Sequence, residues 1–186
     1  MVNPIYYFLY NLKEPSLSKK ILITGGSGFI GTNLSLKLIS KGYQVSVLDN
    51  LSEQIHGKDP GSSTLYAQIK NKVRFINGDV RNREDWNKAL EGQEMVVHFA
   101  AETGTGQSMY EIEKYTDVNI KGTAILLDIL ANNKEHTVEK IIIASSRSIY
   151  GEGKYECVEH GIVYPKERNE EDMKQGDFSV KCPICN

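Results

Sequence analysis

A chain of 186 residues, 40% hydrophobic and 25% charged with a formal net charge of −2, has the make-up of a globular protein with one sizeable core. That near-neutral balance gives no electrostatic basis for binding nucleic acid or an anionic membrane surface. The apolar patch Ile5-Tyr6-Tyr7-Phe8-Leu9-Tyr10 has no basic stretch before it, no small-residue cleavage site after it, and too few residues to span a bilayer. Residues 1–19 therefore read as an arm ahead of the first strand, and the expected compartment is the cytoplasm.

The run Ile21-Leu22-Ile23 predicts a first strand over 20–24, which feeds directly into Thr24-Gly25-Gly26-Ser27-Gly28-Phe29-Ile30-Gly31. A strand, a glycine turn and a helix start in that order can hold a pyrophosphate on backbone N–H groups at the positive end of the helix. Gly25 and Gly26 suit the tight turn, Gly28 the approach of the phosphates, and Gly31 the packing of helix on strand. Such turns also occur without a ligand, so the surroundings decide. The helix predicted over 29–40 has apolar residues at 30, 34, 38 and 39, and a second strand over 44–48 ends in Asp49. An acid roughly 20 residues past the glycines is placed to accept the ribose hydroxyls of an adenine dinucleotide. Asp49 would repel a 2′-phosphate, and neither Arg nor Lys lies between it and Lys58, so NAD(H) is expected over NADP(H).

Farther on, residues 52–63 read as a polar loop and 64–70 as a short helix. A third strand over 73–77 leads to a helix over 83–90 with Asn82 as N-cap. A fourth strand is expected over 94–100, a long helix bent near Gly122 over 109–132, and a fifth strand over 140–144. Short strands separated by helix-period segments predict an α/β, doubly wound parallel sheet over 20–151, a Rossmann-type NAD-binding domain. His98 is expected to pack, and His56 and His136 to be solvated in polar loops. From residue 152 the pattern stops, and 152–186 forms a separate Cys-rich segment.

Six stretches then align in order: 24–31, Leu48-Asp49-Asn50, Gly78-Asp79-Val80-Arg81, His98-Phe99-Ala100-Ala101, Val118-Asn119-Ile120-Lys121-Gly122-Thr123, and Ser145-Ser146-Arg147-Ser148-Ile149-Tyr150-Gly151. Over residues 20–151 this resembles the extended short-chain dehydrogenase/reductases, in particular the NAD-dependent nucleotide-sugar 4-epimerases such as UDP-galactose 4-epimerase. The resemblance implies that Phe29, Ile30 and Asn50 join the glycines and Asp49 around the cofactor. It implies that Asp79 and Val80 flank the adenine, that Phe99, Ala100 and Ala101 line the cofactor, and that Asn119 is a structural or cofactor-side contact. Ser146 matches the family's catalytic Ser/Thr, with the capping of a strand-end turn as its structural alternative. Arg147 and Ser148 stand where the related 4,6-dehydratases place two acids, which leaves epimerase or dehydrogenase chemistry. The substrate implied is a nucleotide sugar, and the resemblance leaves room for a homodimer.

The family's chemistry uses Tyr-x-x-x-Lys on the helix after strand five, where the Lys charge lowers the Tyr pKa and the Tyr takes the hydroxyl proton. Tyr66–Lys70, Tyr110–Lys114 and Tyr150–Lys154 fit the spacing, but two precede strand five and the third contains Gly151 and Gly153, which disfavour a helix. The expectation is a cofactor half cut off before its catalytic pair, with negligible epimerase activity from residues 1–186. In the last segment, Cys157-Val-Glu-His160 and Cys182-Pro-Ile-Cys185 are two ligand pairs, each followed by a residue that tolerates left-handed backbone, Gly161 and Asn186. Three readings stand: a structural Cys₃His zinc knuckle, chance spacing, or a redox Cys-x-x-Cys. Its position resembles a Cys-rich loop of some nucleotide-sugar epimerases, those acting on dTDP-L-rhamnose among them.

Overall fold

Central strands of an α/β sheet are covered on both faces, so their sequences are apolar throughout rather than alternating. Ile21, Leu22 and Ile23 meet that demand, each fully buried. The computed structural model describes residues 19–185; the predicted arm, save Lys19, and Asn186 lie outside them. The chain divides into two compact units, one ending at Ala144 and one beginning at Ser145.

The strands of the first unit are β1 (Lys20–Thr24), β2 (Gln44–Asp49), β3 (Arg74–Asn77), β4 (Met95–His98) and β5 (Lys140–Ile143). They are parallel and stand in the order β3-β2-β1-β4-β5. Its helices are α1 (Phe29–Ser40), α2 (Glu53–His56), α3 (Thr64–Ile69), α4 (Arg83–Leu90), α5 (Thr105–Ser108), α6 (Ile112–Tyr115) and α7 (Gly122–Asn132). One apolar layer joins Ile21, Ile23, Val45, Val47 and Val97 of the sheet to Leu34 and Leu38 of α1 and Ile69 of α3. The opposite layer joins Leu22, Leu48 and Val96 to Trp86, Ala89 and Leu90 of α4 and Leu126 and Ile129 of α7. This is the doubly wound sheet that the sequence predicts. The Asn82 cap is present too, its side chain accepting from Glu84 N at 2.8 Å.

Four expectations are corrected. The helix foreseen over 109–132 is broken into α5, α6, a π-helical stretch Thr116–Lys121 and α7. The wider turn sits where two tertiary contacts act on one segment: the Asn119 amide grips both backbone groups of Glu102, at 2.8 and 3.1 Å, and Gly122 lies against Val80. The loop foreseen over 52–63 contains α2 and a 3₁₀ turn, Pro60–Ser62, capped by Asp59. His56, expected in solvent, is buried and hydrogen-bonds Ser63 Oγ through Nδ1 at 2.8 Å. His136 is half-buried, its Nδ1 without a partner among the described residues.

The second unit starts with a 3₁₀ turn, Arg147–Tyr150, so the division falls before Ser145 rather than after Gly151. It continues through an antiparallel hairpin of β6 (Tyr155–Cys157) and β7 (Gly161–Val163) to a short helix, α8 (Glu170–Lys174). Among the described residues no helix is long and apolar enough to cross a membrane.

Trp86 is fully buried, and its indole N–H donates to Val80 O at 2.7 Å. Trp86→Ala should cost about 3–5 kcal/mol of first-unit stability, read as a lower urea midpoint, because it leaves both a cavity and an unpaired carbonyl.

Candidate functional site

The C-terminal ends of β1 and β4 carry the site. Gly25 has φ +64°, and a Cβ there would stand 2.8 Å from Ala100 N, so the turn and the loop after β4 touch backbone to backbone. A Cβ on Gly31 would collide with Gly25 O, which is how α1 comes to start so close to the turn. Gly28 caps α1 without a side chain, and its own N–H is taken by Gly25 O at 3.2 Å. The next N–H groups, those of Phe29 and Ile30, have no partner within the helix and lie at its positive end. Both side chains are exposed, Phe29 at 73%.

Ser27 was not singled out from sequence. Its residue is fully buried, and its hydroxyl has no hydrogen-bond partner among the described residues. A buried polar group left so costs about 1–3 kcal/mol. An acceptor oxygen brought to the turn would offset that cost, and this is the chemistry of a phosphate. The residues present therefore fit a dinucleotide.

Asp49, at the end of β2, accepts from Ser27 N through Oδ2 and from Leu51 N through Oδ1, both at 2.9 Å. Each oxygen keeps a second lone pair for a further donor. Asp79 is differently placed. Arg81 donates to it from its backbone N, Nε and Nη2, at 2.9, 2.9 and 2.6 Å, and Asn50 donates from Nδ2 at 3.3 Å. The Arg81 guanidinium holds this carboxyl below the usual range. Four donors fill its four lone-pair sites, so an adenine amino group would have to displace one of them. Val80 is buried, its side chain toward Gly122 and its carbonyl engaged by Trp86. Phe99 and Ala100 present backbone N–H groups to Thr24 Oγ1, at 3.2 and 3.1 Å, while Ala101 is exposed. Asn119, with its amide spent on Glu102, acts as a structural clamp.

His98 packs, as expected, and its contacts define its protonation. Nδ1 lies 2.7 Å from Thr24 Oγ1 and Nε2 3.0 Å from Thr123 Oγ1. Thr24 Oγ1 already accepts from two N–H groups and Thr123 donates to Asn119 O at 2.8 Å. The consistent assignment is a neutral ring: Thr24 donates to Nδ1, and Nε2–H donates to Thr123. Burial pushes the imidazole down to about 4, in keeping with that state.

Within the second unit, Ser146 Oγ accepts from Ser148 N at 3.1 Å and caps the 3₁₀ turn. Each Tyr/Lys pair has a place of its own. Tyr66 packs on Phe75 with ring centres 4.8 Å apart, and Lys114 pairs with Glu111 and Glu102 at 3.2 and 3.4 Å. Tyr150 and Lys154 are separated by Gly151 and Gly153, at φ +59° and +86°, so they share no helix.

The two Cys/His pairs meet. One ligand atom from each of Cys157, His160, Cys182 and Cys185 lies within 4.8 Å of the others. Backbone N–H groups of Glu159 and His160 donate to Cys157 Sγ, and those of Cys185 and Ile184 to Cys182 Sγ; they hold both thiols below the ordinary range. Cys185, hydrogen-bonded to the other two sulfurs, is pushed up to about 11.

The model of the NAD dependent epimerase/dehydratase family matches residues 21–172. Over 164 residues the chain is 38% identical to a dTDP-L-rhamnose 4-epimerase of Burkholderia thailandensis, covering 86% of this chain and 44% of that one. It is 36% identical over 162 residues to a UDP-glucose 4-epimerase of Neisseria meningitidis serogroup C, covering 86% and 42%. Among solved structures, the UDP-glucose 4-epimerase of Bifidobacterium longum in complex with NAD+ and UDP superposes with a TM-score of 0.59 at 32% identity, over 72% of this chain and 38% of that one. The chain thus spans well under half the length of these relatives.

His98 should make stability fall with acid. Its folded pKa lies below the unfolded value of about 6.5, so between pH 6.5 and about 4 the unfolded chain binds the extra proton. Stability contributed by the neutral ring is full above that window and lost through it, by an amount of order 3 kcal/mol. Urea midpoints measured across the window should slope in the parent and flatten in His98→Gln.

Proposed function

The chain belongs to the NAD dependent epimerase/dehydratase family, and within it we propose that the first unit binds NAD(H) as the cofactor half of a nucleotide-sugar 4-epimerase. The observation that carries this is the glycine turn itself: an unpartnered buried Ser27 hydroxyl, a helix start capped by Gly28, and Asp49 at the end of the neighbouring strand. Gly25, Ser27, Gly28 and the N–H groups of Phe29 and Ile30 would hold the pyrophosphate. Asp49 would take the adenosine ribose through its free lone pairs, with Phe99 and Ala100 behind the turn.

Bound NAD supplies a reversible hydride acceptor for the sugar carbon whose hydroxyl is oxidised. Ser146 is the residue proposed to hydrogen-bond that hydroxyl. Its Oγ accepts one backbone N–H and retains its own proton to donate. The proton itself needs a tyrosine activated by a lysine on the same helix. Since none of the three spaced pairs supplies this, residues 1–186 are proposed to bind cofactor without turning over sugar. The cysteines and histidine of the second unit play no part in this reading.

Calorimetric titration should show NAD(H) binding more tightly than NADP(H), because the added phosphate would meet the Asp49 carboxylate. Asp49→Ala should lose about 1.5–3 kcal/mol of NAD(H) affinity, as for a charged hydrogen bond. Ser27→Ala should lose about 0.5–1.5 kcal/mol of affinity without losing stability, since it deletes an unpaired hydroxyl. Equal or tighter NADP(H) binding would remove the argument from Asp49.

Incubation of residues 1–186 with NAD and UDP- or dTDP-hexoses should give no epimer above a no-enzyme control. Positioned acid–base groups alone contribute about 10²–10⁴-fold. Product that disappears in Ser146→Ala would show that one of the spaced Tyr/Lys pairs does serve.

A further inference from the structure

We propose that Cys157, His160, Cys182 and Cys185 bind one zinc ion, and that this ion organises the second unit. The four ligand atoms stand at the spacing of a tetrahedron's corners. Zinc–sulfur bonds of about 2.3 Å and zinc–nitrogen bonds of about 2.0–2.1 Å place tetrahedral ligands about 3.8 Å apart for two sulfurs and about 3.6 Å for sulfur and nitrogen. Cys157 Sγ and Cys185 Sγ are 3.7 Å apart, and His160 Nδ1 lies 3.6 Å from Cys157 Sγ and 3.8 Å from Cys182 Sγ. Three of the six edges thus match, and the remainder stay within 4.8 Å.

The backbone is built to the same end. Each leading cysteine opens a turn whose next-but-one and third N–H groups point back at its sulfur: Glu159 and His160 at Cys157, Ile184 and Cys185 at Cys182. Such donors spread thiolate charge when a metal is held. Gly161 closes the first turn at φ +65°, paired with Cys157 across β6 and β7. Lys181, beside Cys182, is tied to Asp172 of α8 at 2.8 Å, so the second turn is braced on the helix.

A ligand set of three sulfurs and one imidazole suits zinc rather than calcium or magnesium, which take oxygen. A disulfide would use two sulfurs and leave a thiol and a histidine gathered for no purpose. With four protein ligands there is no open position for water, so the ion is structural. The unit also needs it. Among the described residues beyond Ala144, Val163 is the one buried hydrophobic side chain. Burial of that size does not fold a segment of this length.

The test uses the full chain, made in zinc-supplemented medium and purified without chelator. Elemental analysis should find about one zinc per chain, and close to none in Cys182→Ser combined with Cys185→Ser. His160→Ala should weaken zinc binding by more than the roughly 10–100-fold of an outer-shell partner, whereas His160→Cys should retain the metal, which separates a ligand from a packing residue. In amide NMR spectra, chelation should collapse the signals of the second unit while those of the first persist, so a variant that fails to fold as a whole is recognised. Zinc near zero in the parent, zinc surviving the double substitution, a disulfide in the purified chain, or a second unit unchanged by chelation would each overturn the proposal. NAD(H) affinity on the same preparation is a separate measurement and does not bear on it.

Discussion

The buried hydroxyl of Thr24 ties the site together. It joins the end of β1 to the end of β4 through three groups at once, donating to His98 Nδ1 and accepting from the N–H groups of Phe99 and Ala100. Because those two residues are drawn in under the turn, no space remains for a Cβ at Gly25. The forced left-handed glycine then directs the chain so that Ser27 N reaches Asp49 on the neighbouring strand. One side-chain oxygen thus fixes the register of the glycine turn, and the position of the proposed ribose acceptor follows from it. The neutral state of His98 belongs to the same arrangement. A protonated ring would turn Nδ1 into a third donor against Thr24 and leave the threonine proton without an acceptor.

Sequence was a good guide wherever structure is set by neighbours along the chain. The helix over 29–40 and the cap at Asn82 stand where local pattern put them, and the strands differ by a residue or two at their ends. Local pattern failed where distant residues decide. Nothing near Asn119 announces that its amide will grip Glu102, 17 positions earlier, so local pattern alone gives plain helix where the structure has a π-helical stretch. His56 sits among polar neighbours, and only the fold reveals Ser63 as its partner. Thr24 and His98 lie 74 positions apart, and their bond has no local signature at all. The resemblance matches Asp79 to adenine, and in the fold its own neighbours Arg81 and Asn50 supply its donors. The signal that would have found this was at hand in the Asp-x-Arg spacing. The Cys/His pairs are legible through their spacing, and the single cluster expected of them is what the fold gathers.

The first unit's affinity for a cofactor would come mainly from backbone: N–H groups at a helix start, a turn shaped by glycine, and one carboxylate. Such a site is indifferent to what is done with the cofactor, which is why the same turn serves many reactions. The chemistry of an epimerase lies in side chains that meet the sugar, and Ser146 is the residue proposed for that part, its hydroxyl capping the 3₁₀ turn. The likeness to 4-epimerases therefore speaks most strongly for binding and less directly for turnover.

The two units also illustrate different solutions to the cost of ordering a chain, about 1–2 kcal/mol per residue for the backbone. In the first, two apolar layers on either side of one sheet meet that cost, and the polar groups at the strand ends are then free to serve a ligand. In the second, the ordered segments are a four-residue 3₁₀ turn, a three-residue hairpin arm on each side, a five-residue helix and two sulfur-centred turns. Ion pairs such as Lys181 with Asp172 and Arg168 with Glu152 are at best half-buried, and pairs that solvent still reaches contribute little. The proposed ion at 157, 160, 182 and 185 would close the loop between the two turns of this segment at one stroke. Every cysteine in the chain lies at that point, in the unit where burial contributes least.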